Sequence, residues 1–279
     1  MKRRIYSLIV LTTLVALVLV PAVSAIALTA DEWVVKGVEY EKKGDFKNAA
    51  ESCTRAIEID PSNKYAWANR GIYYTELGRY DEAVADCTKA ISLDPKFANN
   101  YNNRGFAYRS LGKYDLAIAD FTTAIGLDPK YARAYNNRGG AYRSLGKYDP
   151  AFADYTKAIE LEPGYALAYN NRGWAYYLQG KYERALVDIT KSLAIAPENG
   201  YALDSRSNVY RELKRYDEAM ADIEKTIKMD PKYYFAYVTR GKIYEAQGMN
   251  DKAKADYKLA CDNGEREACE ALKKLTGTQ

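Results

Sequence analysis

Arginine and aspartate side chains recur in a fixed register along this chain, and they are the groups best placed to do chemistry. Six arginines stand at one constant interval, and each has an aspartate at the same distance downstream. A planar guanidinium can hold a carboxylate through two parallel hydrogen bonds, so we predict ion pairs that are partly buried between helices. The alternative is that the arginines bind anionic ligands, although the aspartates would already neutralise them. The two columns are Arg70, Arg104, Arg138, Arg172, Arg206 and Arg240, with Asp86, Asp120, Asp154, Asp188, Asp222 and Asp256.

Catalytic chemistry has little support in the sequence. The 279 residues include no histidine, which removes the commonest general base and metal ligand. The four cysteines lack the spacing of a zinc site. Acidic pairs such as Asp81–Glu82 and Asp217–Glu218 begin predicted helices, where carboxylates favour the helix dipole. We therefore predict no enzymatic activity, no metal site and no cofactor.

The same interval also governs residues that shape the backbone. A fixed period of about 34 residues predicts stacked units of supersecondary structure, and therefore a solenoid. Proline recurs in this register at Pro61, Pro95, Pro129, Pro163, Pro197 and Pro231. Alanine recurs at Ala49, Ala83, Ala117, Ala151, Ala185, Ala219 and Ala253.

One unit, residues 64–97, illustrates the local pattern. Its first half spaces large apolar residues such as Trp67 and Tyr74 at helical intervals. Gly78 follows where a helix C-cap favours a left-handed residue. The second half carries an apolar stripe at helical spacing and ends before Pro95, since the residue before proline is disfavoured in a helix. Each unit is predicted to be a helical hairpin.

The unit resembles the tetratricopeptide repeat (TPR), whose signature is W-x2-L-G-x2-Y, then A-x3-F, then P. Arginine replaces the leucine of the signature in six repeats. The resemblance covers roughly residues 30–267 and implies an all-α fold. That fold is a right-handed superhelical solenoid of about seven TPR helical hairpins plus a C-terminal capping helix. The matching residues are Trp67-x2-Arg70-Gly71-x2-Tyr74, Ala83-x3-Cys87 and Pro95.

The repeats define the predicted domain organisation. An array over residues 30–264 follows a signal peptide (1–25) and precedes a capping helix and tail (265–279). The predicted repeats are 30–63, 64–97, 98–131, 132–165, 166–199, 200–233 and 234–264.

Residues 1–25 have the features of a secretory signal: a basic start, an apolar run over residues 5–20 and small residues before Ala25. Cleavage is expected after Ala25, with Ala30 as the second choice. The alternative is an uncleaved membrane tether through residues 5–28, since the apolar character continues past the signal. Both readings predict a protein outside the cytoplasm, either secreted, periplasmic or at the cell surface, and membrane-anchored if uncleaved.

The charge of the chain argues against nucleic acid as a partner. The net charge is +4, and removing the three basic residues of the signal leaves 38 basic against 37 acidic side chains. A nearly neutral mature chain lacks the strong basic patch that nucleic-acid binding requires.

The cysteines are of two kinds. Cys53 and Cys87 occupy equivalent core positions of adjacent repeats, about 8 to 10 Å apart, which is too far for a disulfide; they are predicted to be buried small hydrophobes. The stretch around Cys261 and Cys269 resembles the Ala-Cys-x7-Cys junction of secreted Sel1-like repeats. That resemblance implies a disulfide pinning the last hairpin to the capping helix, and free thiols are the alternative.

The inner surface of a TPR superhelix is formed by the first helix of each repeat, and asparagines recur there. An amide offers both donors and an acceptor, so it can pair with a peptide backbone. The main column is similar to the asparagine ladder in the TPR domain of O-linked N-acetylglucosamine transferases. The alternative is that these amides stabilise helix packing. The columns are Asn69, Asn103, Asn137 and Asn171, with Asn102, Asn136 and Asn170 beside them.

The neighbouring inner positions differ between repeats, as specificity positions should. They predict a groove with a basic, partly aromatic centre that binds an extended peptide or protein segment of acidic character. An ordinary solvated face is the alternative. The residues are Phe106, Arg109, Arg133, Arg143, Trp174, Tyr177 and Arg211.

The function predicted from these patterns is that of a non-catalytic scaffold or adaptor for protein–protein interaction. A self-associating envelope scaffold, in which Tyr-rich surfaces of several copies form a homo-oligomer, is the alternative.

Overall fold

The computed structural model describes residues 28–277, and all regular secondary structure within that range is helical. The predicted all-α fold is confirmed. The helices are α1 (Ala30–Glu41), α2 (Phe46–Ile59), α3 (Lys64–Glu76), α4 (Tyr80–Leu93), α5 (Ala98–Ser110), α6 (Tyr114–Leu127), α7 (Ala132–Ser144), α8 (Tyr148–Leu161), α9 (Ala166–Leu178), α10 (Tyr182–Ile195), α11 (Gly200–Glu212), α12 (Tyr216–Met229), α13 (Tyr234–Ala246), α14 (Asn250–Asp262) and α15 (Arg266–Thr276).

Over residues 28–277, the helices stack as a solenoid of seven hairpins followed by a single helix. Each odd-numbered helix from α1 to α13 packs against the even-numbered helix that follows it, and each hairpin packs on the next. The odd-numbered helices also contact each other, from α1 and α3 through to α11 and α13. Elements that touch across a whole repeat lie on the shorter, inner side of a curved stack. The first helices of the hairpins therefore form the inner surface.

A left-handed residue ends the first helix of each hairpin. Gly78 has a φ of 73°, which lets the N–H of Arg79 donate to the carbonyl oxygen of Tyr74 at 2.8 Å and close α3. The equivalent turn after α11 has Lys214, with a φ of 59°. A residue with a β-carbon is strained in this conformation, so this turn carries a cost that the glycine turns avoid.

Replacing Lys214 by glycine should therefore raise the free energy of unfolding by about 1 kcal/mol, because glycine adopts a positive φ without strain. Urea unfolding of the purified protein measures this change. Gly112, with a φ of 72° in the turn after α5, provides the reverse control, and Gly112→Lys should lower stability by a similar amount. Shifts of the same sign in both variants would contradict the explanation.

Close approach of the two helices within a hairpin depends on a second glycine. A β-carbon at Gly139 would lie 2.9 Å from the ring of Tyr155, which is fully buried. In the second repeat the same position, Gly71, faces Cys87 instead. Cys53 and Cys87 are buried free thiols, as predicted, and burial raises the pKa of Cys87 to about 12. Both cysteines therefore act as small packing residues.

The last helix covers the C-terminal end of the stack. Ala268 on α15 is fully buried and packs with Tyr257 and Ala260 of α14. A disulfide joins Cys261 to Cys269, and their Cα atoms are 4.8 Å apart. The disulfide and the apolar contacts together hold α15 on the last hairpin.

The predicted signal peptide, residues 1–25, lies outside the described residues, as does the predicted tether except for Leu28. None of the helices over residues 28–277 is long and apolar enough to cross a membrane. The described chain begins with Thr29 as the N-cap of α1, where its side chain and that of Glu32 form a capping box.

Candidate functional site

The repeating arginines form ion pairs within each hairpin. Arg138 on α7 donates from Nε and Nη2 to the two carboxylate oxygens of Asp154 on α8, both at 2.8 Å. Asp154 is only 5% exposed, and the hydrogen bond that Arg138 donates to this carboxylate raises the pKa of Arg138. The other five pairs have the same two-pronged geometry. The predicted ion pairs are confirmed, and these guanidinium groups are neutralised by their own hairpins.

The same arginines also connect neighbouring repeats. The Nη1 of Arg138 donates to the hydroxyl oxygen of Thr122, which belongs to the preceding hairpin, at 3.0 Å. Each link joins the second helix of one repeat to the first helix of the next. Equivalent links join Arg70 to Thr54, Arg104 to Thr88 and Arg172 to Thr156.

The asparagine columns form a further set of contacts between repeats. Asn137 donates from Nδ2 to Oδ1 of Asn102 at 3.0 Å, and Asn171 donates to Asn136 at 2.9 Å. Asn102, Asn136 and Asn170 are buried, between 1% and 7% exposed. Asn102, Asn136, Asn137 and Asn171 thus have packing contacts of the kind that the alternative interpretation requires, whereas Oδ1 of the buried Asn170 has no hydrogen-bond partner among the described residues.

Three asparagines of the main column are more open to solvent. Asn69, Asn103 and Asn171 are partly exposed, and Asn103 lines a cavity on the inner surface. Contact of the asparagines with a ligand stays a prediction.

That cavity has a volume of about 550 Å³ and extends from the end of α1 to the start of α9. Glu41 and Glu76 lie at its N-terminal end. Arg133 and Tyr165 line the same cavity. Burial raises the pKa of Tyr165, and the charge of Arg133 and its hydrogen bond with Tyr165 oppose that rise. The cavity therefore combines apolar side chains with charges of both signs along its length.

A second cavity, of about 420 Å³, continues along the inner surface. The two cavities share Phe106, Asn137 and Leu167, so they form one groove, which we call the inner groove. Arg109 and Arg143 line the second cavity. The apolar side chains of Phe106 and Leu167 thus lie between a region with carboxylates and a region with two arginines.

Gly140 makes room for one of these arginines. A β-carbon at Gly140 would lie 2.7 Å from Nη1 of Arg109. The guanidinium of Arg109 lies over the ring of Phe106, 4.7 Å from its centroid. The side chain of Arg109 on α5 therefore occupies the space that a side chain in place of Gly140 on α7 would need.

Family models match all seven hairpins of the array. Five consecutive segments, 30–63, 65–97, 98–131, 132–165 and 166–199, match one model of the tetratricopeptide repeat. Segments 201–233 and 236–263 match a second model of the same repeat. The chain belongs to the tetratricopeptide repeat family. TPR arrays generally mediate protein–protein interaction, and members of the family are typically scaffolds without catalytic activity.

Solved TPR structures resemble the protein over most of its length. A TPR protein from Parabacteroides merdae is 28% identical, with a TM-score of 0.71, over 89% of this chain and 99% of that one. MamA is 30% identical, with a TM-score of 0.50, over 58% of this chain and 95% of that one. PilW, a type IV pilus biogenesis factor, shares the fold at 22% identity, with a TM-score of 0.65, over 73% and 94% of the two chains. None of the curated proteins compared with this chain matches it.

Some of the residues that were predicted to line a single groove lie apart from the inner groove in the structure. Trp174 and Tyr177 stack on each other at 4.6 Å between ring centroids. Arg211 donates from Nη2 to the hydroxyl oxygen of Tyr177 at 3.1 Å and to a carboxylate oxygen of Glu212 at 2.6 Å. These three predicted residues form a separate, neutralised cluster in the fifth and sixth TPR repeats, whereas Phe106 lies in the inner groove.

The sequence reasoning missed several residues of the groove, among them Leu167 and Tyr165. Leu167 is 45% exposed, and Tyr165 precedes it on the same stretch of chain; both line the first cavity. A signal for Leu167 was available, because it stands one full repeat after Arg133 in a column that is mostly polar or aromatic. An apolar residue at an exposed TPR position indicates a contact surface.

Asp204 is a further buried residue that the sequence reasoning passed over. It stands one full repeat after Asn170, so a carboxyl replaces the amide of the buried column. Asp204 is 5% exposed, and burial raises its pKa to about 6. A hydrogen bond with Thr239 and the charge of Lys242 only partly offset that burial. The ionised form of this carboxyl is therefore unfavourable at its buried position in the column.

Proposed function

We propose that this TPR protein is an adaptor outside the cytoplasm that holds an extended peptide or protein segment in its inner groove. The observation that carries the proposal is the continuous lining of the groove from α1 to α9, with exposed apolar side chains between charged ones. Ligand sites combine apolar contact area with a few polar groups that fix orientation. A groove that crosses five first helices suits a long, narrow ligand.

A location outside the cytoplasm is part of the proposal. It is supported by the signal-like residues 1–25 and by the Cys261–Cys269 disulfide, since disulfides persist in oxidising compartments. Cleavage after Ala25 would retain Thr29, whose side chain caps α1. Cleavage after Ala30 would remove that cap, so the cap supports the earlier site.

The absence of catalysis is likewise a proposal. It rests on the lack of histidine in the sequence and on the scaffold role that is typical of the TPR family. The function would then depend on the shape and charge of the groove rather than on a reactive group.

The experiment is a pull-down from envelope or culture extract with residues 26–279. Leu167→Glu places a charge in the groove. We expect it to weaken capture of the partner by about tenfold or more, because it removes an apolar contact and adds a charge that the docked segment would bury. Val187→Glu is the matched control, since Val187 is a 70% exposed apolar residue on α10, an outer helix. Circular dichroism establishes that both variants fold equally.

These two variants test whether the partner binds in the inner groove. Loss of the partner with Leu167→Glu alone would support binding in the inner groove. Equal capture by Leu167→Glu and the unaltered protein would move the binding surface elsewhere. Asn103→Ala in the same assay tests whether the open asparagine of the column contacts the partner.

Self-association is a second candidate function, favoured by one exposed aromatic cluster. Tyr201 is 69% exposed and meets the ring of Tyr233 edge-on at 5.3 Å. Exposed aromatic side chains are common anchors of protein interfaces. Light scattering over a range of concentrations tests it, and a constant monomer mass would exclude self-association through this surface.

A further inference from the structure

Arg109 and Arg143 stand apart from the ion-paired arginines of the first helices. Within residues 28–277, neither forms an ion pair or a hydrogen bond to a carboxylate, whereas the six arginines of the ion-pair columns and Arg211 all do. Arg133 also has no ion pair in that range, but it has a hydrogen bond with Tyr165. Burial and the charge of Arg143 lower the pKa of Arg109. The two guanidinium groups are thus close enough to repel each other in a partly desolvated cavity.

Within residues 28–277, the lining of the cavity around the pair contains hydroxyl groups but no acid. Tyr114, Ser110 and Ser144 line this cavity, and the two serine hydroxyls donate to the carbonyl oxygens of Phe106 and Gly140. The hydroxyl of Tyr155 is buried without a hydrogen-bond partner, and it lies 3.9 Å from where a β-carbon of Gly140 would be, on the same side as Arg109. The second cavity therefore presents positive charge and hydroxyl groups around a space that lacks a neutralising group.

The arrangement costs stability in the free protein, since unpaired like charges in a partly buried site repel each other and lose hydration. Such a cost is typical of binding sites, where the missing partner is supplied by the ligand. Gly140 indicates the same, because a larger residue there would displace the guanidinium of Arg109 from the cavity wall.

We propose that Arg109 and Arg143 form an oxyanion site in the inner groove that binds an acidic group of the docked segment, next to an apolar residue of that segment held by Phe106 and Leu167. The inference rests on the proposed function, since it specifies what the segment must carry. The chemistry is that of a carboxylate or phosphoryl group, because a planar guanidinium meets two oxygens of either one. Aspartate, glutamate and phosphorylated side chains are the sources.

The test is fluorescence anisotropy with three labelled peptides that share one leucine and differ in the flanking residues: glutamate, phosphoserine or glutamine. The unaltered protein should bind the glutamate or phosphoserine peptide about tenfold or more tightly than the glutamine peptide. The ratio between the two acidic peptides identifies the source of the oxyanion. Equal affinity for all three peptides would overturn the proposal.

Variants separate the site from the general charge of the protein. Arg109→Gln with Arg143→Gln should abolish the preference for acidic peptides while keeping or raising stability, because the repulsion is removed. Arg184→Gln with Lys191→Gln, on the outer helix α10, removes the same charge and should leave the preference unchanged. Gly140→Ala keeps every charge but crowds Arg109, and it should reduce the preference several-fold.

The outcomes distinguish the two proposals. Binding that is weakened by Leu167→Glu but equal for all peptides would refute the oxyanion site and leave the groove as the binding surface. Binding of acidic peptides that responds to the outer control as strongly as to Arg109 and Arg143 would refute the site as well. Peptide binding that Leu167→Glu leaves unchanged would contradict the proposed function itself.

Discussion

Replacing Asp154 by alanine is expected to lower the free energy of unfolding by about 3 kcal/mol. The substitution leaves the guanidinium of Arg138 between two helices without its carboxylate, and the side chains of this pair are only 18% and 8% exposed. A buried charge without a partner keeps its desolvation cost and loses the attraction that offset it. Urea unfolding, with a global fit of the midpoint and slope, measures the loss.

Two comparisons show whether burial is the cause. Glu218→Ala breaks the ion pair of Arg215 and Glu218, whose side chains are 45% and 46% exposed, and it should cost less than about 1 kcal/mol. Replacing Arg138 and Asp154 together by leucine and alanine should recover most of the loss, because no unpaired charge is left. A loss at Asp154 no larger than that at Glu218 would contradict the buried character of these pairs.

Replacing Asp204 by asparagine is expected to raise the free energy of unfolding at pH 7.5 by about 2 kcal/mol. Burial raises the pKa of Asp204 to about 6 from an ordinary value of 3.8. Between these values the folded protein holds the proton more tightly than the unfolded chain, so stability falls as the pH rises from about 4 to 6. Asparagine restores the amide of the column and has no charge to bury.

The pH dependence distinguishes this effect from ordinary packing. The stabilising effect of Asp204→Asn should be small at pH 4 and reach its full size above pH 6, measured by urea unfolding at both ends of the range. Glu224→Gln removes an exposed carboxylate from the neighbouring α12 and should change stability by less than about 0.5 kcal/mol at either pH. A stabilisation by Asp204→Asn that is equal at both pH values would contradict the titration of this carboxyl.

The fold was predictable because its signals are local and repeated. The turn at Gly78 and the stop before Pro95 lie within one repeat, and they recur in most of the others. The ion pair of Arg138 and Asp154 also lies within one hairpin, so a constant spacing was enough to find it. The family match then extends the same unit over the array.

The groove was less predictable because its contacts cross between repeats. Arg109 occupies the space above Gly140, and that contact depends on how one hairpin is rotated on the next. The amides of Asn137 and Asn171 could equally have pointed to a ligand, and only the stacked helices place Asn102 and Asn136 within reach of them. Residue type alone does not determine which partner an amide finds.

The threonine links described above have a mechanical consequence. They join the first five repeats through Arg70, Arg104, Arg138 and Arg172, while the described hydrogen bonds give no such link to Arg206 or Arg240. In a stack of repeats each unit contacts only its neighbours, so the junctions between neighbours set the resistance of the stack to bending. The junctions of the last two repeats have instead the hydrogen bonds of Arg211 to Tyr177 and of Asn208 to Thr239. We therefore expect their resistance to bending to depend on different side chains from those that hold the part that carries the inner groove.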